Sequence, residues 1–133
     1  MHNRKRQVSV VQAGSDPFDT PATLSKFADL LAEAKAAGSE LVVFPEAFIG
    51  GYPKGVDFGA RVGSRDDPGR ELFRLYSDNA IRLHSPEFER ISDAVAANGV
   101  ATIVGVIERK GATLYCATFG FEKDGSLLGV HRK

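Results

Sequence analysis

A single acidic residue follows one of the most apolar segments of the chain. In "GSELVVFPEAFIGGYP", Glu46 lies just beyond an apolar run and behind Pro45, which ends a strand ladder because it lacks a backbone N–H. Open α/β folds place their sites at this rim of the sheet. Partial burial there would raise the pKa of the carboxyl group, as a general base near neutral pH requires. Glu46 is therefore a candidate catalytic residue, with a solvated strand end as the competing interpretation.

The other reactive residue types offer little chemistry by spacing alone. Cys116 is the only cysteine, and we expect it to be a small buried hydrophobe on a strand. The histidines at positions 2, 84 and 131 have no ligand spacing to one another, so no metal site is predicted. No phosphate-loop pattern is present. The last three residues, "HRK", are basic and directly follow a strand-like run.

The elements that must position these residues alternate between strands and helices. Helical spacing predicts one helix that Asp19 or Thr20 caps and Gly38 ends, and another that runs from a Ser85 cap to Gly99. Short apolar or β-branched runs predict strands at residues 7–13, 40–44, 100–109, 113–122 and 126–130.

Residues 45–70 differ from the rest of the chain. They are rich in glycine and proline and lack periodic apolar positions, which is typical of a functional loop, and helical spacing resumes only at Leu72. The order strand, helix, strand, loop, two helices and meander predicts an α/β fold with a mixed sheet. One domain over residues 1–133 is expected. Because the meander is apolar on both faces, it needs a second layer that a chain of this length hardly supplies.

Composition excludes several classes of function. Lys plus Arg and Asp plus Glu both number 17, and this balance argues against a protein that binds nucleic acid or an anionic membrane surface. No apolar run approaches the roughly 18 residues that span a bilayer. A single cysteine excludes an internal disulfide framework, and the basic start makes a poor secretory signal, so a cytoplasmic location is expected.

The segment around Glu46 resembles the first signature of the nitrilase family of carbon–nitrogen hydrolases. The matching positions are Gly38, Leu41, Val42, Phe44, Glu46, Ile49, Gly51, Tyr52 and Pro53. Further along, "GRELFRLYSDNAI" is similar to the family's next helix, and "GVIERKGATLYCATFGFEKDGSLLGVHRK" to its central hairpins and second catalytic segment. The long glycine-rich loop is more similar to the nitrilase branch than to the amidase or carbamoylase branches. The resemblance implies the N-terminal part of a four-layer α-β-β-α sandwich.

The resemblance also implies a catalytic set of glutamate, lysine and cysteine, with no cofactor. By position, Glu46 matches the general base, and Lys133 matches the lysine that stabilises the tetrahedral intermediate. Tyr52, within the signature, is implied to bind substrate. The family's nucleophilic cysteine lies downstream of the lysine, so Cys116 does not match it. We therefore expect one incomplete domain over residues 1–133, inactive by itself, which ends at its second catalytic residue.

The leading hypothesis is thus a homo-oligomeric nitrilase that converts a small-molecule nitrile to a carboxylic acid and ammonia, without a nucleic-acid or membrane partner. An amidase or a cyanide hydratase of the same family would share Glu46 and Lys133. A hypothesis from another class is a catalytically inactive, truncated interaction module that pairs its open sheet edge with another chain.

Overall fold

A mixed five-stranded sheet forms the centre of the protein. The computed structural model describes residues 4–53, 55–59 and 66–133. The strands lie in chain order across the sheet: β1 (Val8–Val10), β2 (Leu41–Val43), β3 (Ala101–Lys110), β4 (Thr113–Phe121) and β5 (Leu127–Arg132). The first three are parallel, and β3, β4 and β5 form an antiparallel meander. The predicted α/β fold with a mixed sheet is confirmed.

Two helices, α1 (Thr20–Ala36) and α3 (Pro86–Asn98), cover one face of the sheet. The predicted caps are present: the Asp19 side chain accepts from the backbone of Ala22, and Ser85 accepts from Phe88. Their apolar stripes join the strands in one core. Its most buried members are Phe27, Leu31, Val42, Ile91, Val95, Val104, Val106 and Phe119. We call this side of the sheet the helix face.

The second helix of the chain, α2 (Asp67–Asp78), begins earlier than its apolar spacing predicts. The Asp66 carboxylate accepts from the backbone N–H of Gly69, and Pro68 occupies the first turn, where it needs no partner. The prediction of a loop as far as residue 70 is therefore wrong over its last four residues. Of that loop, residues 54 and 60–65 lie outside the described part of the chain.

The opposite side of the sheet, which we call the open face, is only partly covered. A small cluster packs there against Ile107 of β3, with Ala47, Tyr76 and Ala80 as its other buried members. Towards the other end of the strands, Ile103 is 38% exposed and Leu128 is 66% exposed. Both lie on the open face beside Gly120, with which Ile103 is paired. This agrees with the expectation that the meander is apolar on both sides.

Within the described ranges, no helix combines the length and apolar character that a bilayer crossing needs. Over the same residues, no cluster of three or more His, Cys, Asp or Glu side chains is suited to holding a metal ion.

Candidate active site

Glu46 lies on a short excursion of the chain from the plane of the sheet. The last regular bond from this segment runs from Phe44 N to Ile103 O, at 2.8 Å, and Pro45 can donate none. The chain returns to β3 at Ile49, whose N–H donates to Gly105 O at 3.1 Å. Between these two points the backbone passes over Gly105 on the open face and returns to the same edge of β3, and this excursion carries Glu46 outward.

Two backbone features make the excursion possible. Gly105 of β3 lies directly beneath it, and a Cβ there would collide with the carbonyl oxygen of Pro45 and the amide nitrogen of Ala47. Ala47 has a φ of 51°, a left-handed conformation that is costly for a residue with a side chain. Ala47 is also fully buried, so the surrounding packing holds it there.

The structure brings Lys133 and Cys116 to the same carboxylate oxygen. Lys133 follows β5 and pairs with β4 through a bond from its N–H to Cys116 O, at 2.9 Å. Its Nζ lies 2.7 Å from Glu46 Oε1, and the Cys116 thiol donates to that oxygen with Sγ at 3.3 Å. Two residues that are 87 positions apart in sequence are thus in direct contact.

Cys116 differs from its prediction. It lies on a strand as expected, but its side chain points to the open face and is partly exposed rather than buried. The expectation that it serves only as a small core hydrophobe is wrong, because strand alternation places it opposite the core residue Ala117. No sequence spacing relates residues 46 and 116, and only the pairing of β3 with β4 brings them together.

The charges in the cluster set the protonation of each group. The Lys133 ammonium, and then the Cys116 thiol, hold the pKa of Glu46 below its usual range. The expectation of a raised pKa at Glu46 is wrong, because the side chain is 48% exposed and paired with a cation. Burial, followed by the hydrogen bond to the Glu46 carboxylate, raises the pKa of Cys116. At neutral pH the site therefore holds a carboxylate, an ammonium and a neutral thiol.

Two cavities, each of about 420 Å³, adjoin Glu46. One is bordered by Cys116, Lys133 and Leu114, and the other by Gly14, Phe18 and Phe48. Tyr52, the residue predicted to bind substrate, borders both cavities and is 63% exposed. The cluster thus lies beside space large enough for a small molecule.

Tyr76 is a residue of the site that the sequence did not reveal. In the sequence it falls at helical spacing from Leu72, which indicates only a packing role, yet in the structure it borders both cavities. Its hydroxyl donates to Gly51 O at 3.0 Å, which ties α2 to the glycine pair after Glu46. Burial raises the pKa of Tyr76 to about 12, so it remains a neutral donor.

The fold and the carboxylate–ammonium pair define an α/β protein with a candidate acid–base site on the open face of its sheet rather than at the rim that the sequence predicts. The family described as "Carbon-nitrogen hydrolase" matches residues 7–133, so the chain belongs to the carbon–nitrogen hydrolase family. The chain is 52% identical over 127 residues to a nitrilase of Bradyrhizobium diazoefficiens. It is 50% identical to a bifunctional nitrilase/nitrile hydratase of Nicotiana tabacum. The resemblance to nitrilases is confirmed.

These alignments cover 96% of the chain but only 40% of the Bradyrhizobium protein and 36% of the tobacco protein. Among solved structures, an amidase from Nesterenkonia sp. superposes with a TM-score of 0.67 at 17% identity. This likeness covers 96% of the chain and 42% of the amidase, and it shows the fold alone. The chain therefore spans about two fifths of the proteins it matches.

Proposed function

We propose that this chain supplies the glutamate and lysine of a nitrilase-type active site that converts a nitrile to a carboxylic acid and ammonia. The observation that carries the proposal is the 2.7 Å contact between Lys133 Nζ and Glu46 Oε1, at the two positions that match the family's catalytic glutamate and lysine. The names of the similar proteins support it. Residues 1–133 then form one incomplete domain, completed by residues that this chain does not contain.

In the proposed reaction, the Glu46 carboxylate accepts the proton of a cysteine thiol supplied by those further residues. The thiolate forms a C–S bond to the nitrile carbon, and the nitrogen takes up a proton to give a thioimidate. One water molecule then displaces ammonia and leaves a thioester. A second water releases the carboxylic acid and restores the thiol. Lys133 stays protonated and stabilises the charge of the tetrahedral intermediates.

The low pKa of Glu46 suits this role in one respect and limits it in another. The carboxylate is ionised throughout the neutral range, so it is always available to accept a proton. A weak base, however, removes a thiol proton less readily. A nitrile entering the cavity, or a chain segment covering it, would strip water from the carboxylate and raise its pKa.

We assign the nucleophile to another cysteine because the family's cysteine lies downstream of the lysine, whereas Cys116 precedes Lys133. Burial also raises the pKa of Cys116 and so disfavours its reactive thiolate. In the Nesterenkonia amidase, one variant shows acrylamide added to the active-site cysteine, so a reactive cysteine is present in that protein of similar fold.

A fusion in which this chain replaces the matching segment of the Bradyrhizobium nitrilase tests the proposal. We expect the fusion to release ammonia and acid from a small nitrile, and the isolated chain to release none. Lys133→Met should lower turnover of the fusion by roughly 10²–10³-fold. Lys110→Met, at an exposed lysine of β3, is the matched control. Normal turnover of the Lys133→Met fusion would contradict the role of Lys133.

The same assay addresses the family alternatives. The tobacco relative is named as both a nitrilase and a nitrile hydratase, which favours a second outcome in which the amide leaves before hydrolysis is complete. Measuring amide, acid and ammonia together separates a nitrilase from a hydratase. Supplying the amide as substrate tests the amidase alternative directly.

A further inference from the structure

The helix face carries an ion pair that the proposed reaction does not use. Glu108 of β3 has a carboxylate that is 1% exposed. Arg132 of β5 donates to both of its oxygens, from Nε at 2.6 Å and from the second terminal nitrogen at 2.8 Å. To reach Glu108, the guanidinium crosses the intervening strand β4, where it lies 5.6 Å from the centre of the Tyr115 ring. We call this pair the clasp.

The Glu108 side chain is buried and the Arg132 side chain is 31% exposed. Such a pair is a poor source of net stability, because the desolvation of the carboxylate offsets the attraction between the charges. The better-attested effect of such a pair is to favour one register of the chain over alternative registers. In the clasp, two nitrogens of the guanidinium donate to the two oxygens of a buried carboxylate, and a shift of β5 along β4 would move the guanidinium away from them. The clasp thus fixes the register in which Arg132 pairs with Ala117.

Register decides the position of the next residue. Side chains alternate along a strand, so Arg132 on the helix face places Lys133 on the open face beside Glu46. A slip of one residue would turn Lys133 to the wrong face, and a slip of two would move it by about 7 Å. Either shift would break a contact of 2.7 Å.

We propose that Glu108 and Arg132 are positioning residues that hold the Lys133 ammonium against the Glu46 carboxylate. This inference rests on the proposed function for its catalytic meaning, because Lys133 has a task only if the site is nitrilase-like. The placement of Lys133 can nevertheless be measured in this chain without any turnover.

Competitive acetylation of the 133-residue chain, read by mass spectrometry, reports the placement of each lysine. The ion pair with Glu46 raises the pKa of Lys133, so its amine should react slowly, and Glu46→Gln sets the fast limit. Lys26, whose Nζ contacts Asp16 at 2.8 Å and Gly14 O at 3.0 Å, serves as the internal reporter of folding.

Two variants remove the clasp in different ways. Arg132→Met leaves Glu108 buried and unpaired, whereas Glu108→Leu with Arg132→Met replaces the pair by apolar groups, an exchange that proteins often tolerate. The matched control is Arg109→Met, which removes an arginine of the same sheet that pairs with Asp78 near the surface.

We expect Lys133 to be acetylated faster in both clasp variants, with most of the rate increase that Glu46→Gln produces. The acetylation rate of Lys26 should stay unchanged in these variants. Arg109→Met should leave the rate at Lys133 unchanged. If Lys133 is still acetylated slowly in the double variant, the proposal is overturned. Faster Lys26 in the double variant would also overturn it, because the pair would then serve the whole fold. Turnover of the Lys133→Met fusion is a separate readout, so the proposed function can fail while acetylation still decides the placement.

Discussion

At the scale of single residues, the site depends on one carboxylate oxygen that two side chains share. Glu46 Oε1 accepts from Lys133 Nζ at 2.7 Å and from Cys116 Sγ at 3.3 Å. The cation lowers the pKa of Glu46, and the carboxylate in turn raises the pKa of Cys116. Changing any one of the three residues should therefore alter the titration of the other two.

Glu46→Gln in the Bradyrhizobium fusion should lower nitrile turnover by roughly 10²–10⁴-fold, because the amide keeps the shape of the side chain but cannot accept a proton. The unfolding transition should hardly move, since the side chain is half exposed. Glu40→Gln, at a surface carboxylate that pairs with Arg6, is the control for losing one negative charge. Near-normal turnover would reduce Glu46 to a structural residue.

Maleimide should label Cys116 in the isolated chain slowly at neutral pH, because burial and the nearby carboxylate keep the thiol protonated. The rate should rise with pH as the thiolate forms. Glu46→Gln removes the negative charge, lowers the pKa of Cys116 and should shift the rate profile to lower pH. Identical profiles for the two proteins would show that the thiol does not sense Glu46.

At the scale of elements, the geometry of the site arises where the segment after β2 passes over Gly105 of β3. The chain leaves the sheet after Phe44 and returns at Ile49, and its close approach to Gly105 leaves no room for a side chain beneath Glu46. On the far side, β5 presents Lys133 only in its observed register. The segment after β2, which lies over β3, and β5, which pairs with β4, therefore set the two ends of the ion pair.

Gly105→Ala should destabilise the protein by about 1–3 kcal/mol and displace Glu46, because the added methyl group forces the excursion outward. Urea unfolding measures the first effect. Faster acetylation of Lys133 measures the second. Gly129→Ala is the matched control, since it changes a strand glycine with open space around it. If Gly105→Ala and Gly129→Ala unfold at the same urea concentration, the close approach of the backbone to Gly105 is contradicted.

At the scale of the whole molecule, the helix face is a continuous core. Among the described residues, α2 and the segment after Glu46 pack against part of the open face. Ile103 and Leu128 remain exposed on that face. With equal numbers of acidic and basic residues, the molecule has little net charge to keep copies apart. The chain should therefore associate through its open face.

Light scattering of the isolated chain at micromolar concentration should show multimers or aggregates. Leu128→Lys should reduce this association, because it places a charge among the exposed apolar side chains of the open face, beside Ile103. Leu75→Lys, at a leucine of α2 that is 38% exposed, is the control. A sharply melting monomer would show instead that residues 1–133 close their own core.

The sequence by itself determined much of the local structure and indicated two candidate site residues, Glu46 and Lys133. Caps such as Asp19 and Ser85, and the stop at Gly99, act within a single turn of helix, so local chemistry is enough to predict them. The apolar run before Glu46 predicts a strand for the same reason. The roles proposed for Glu46 and Lys133 rest on the resemblance to two segments of the family, each of which records the spacing of several positions together.

Only the tertiary structure decided how these residues meet. The thiol of Cys116 reaches Glu46 because β4 pairs with β3 in one register, and no sequence interval expresses that pairing. The pKa of Glu46 falls rather than rises because a cation 87 residues away in sequence lies against it. Burial and charge depend on neighbours in space, so the protonation of the site is a property of the fold and not of any segment of the chain.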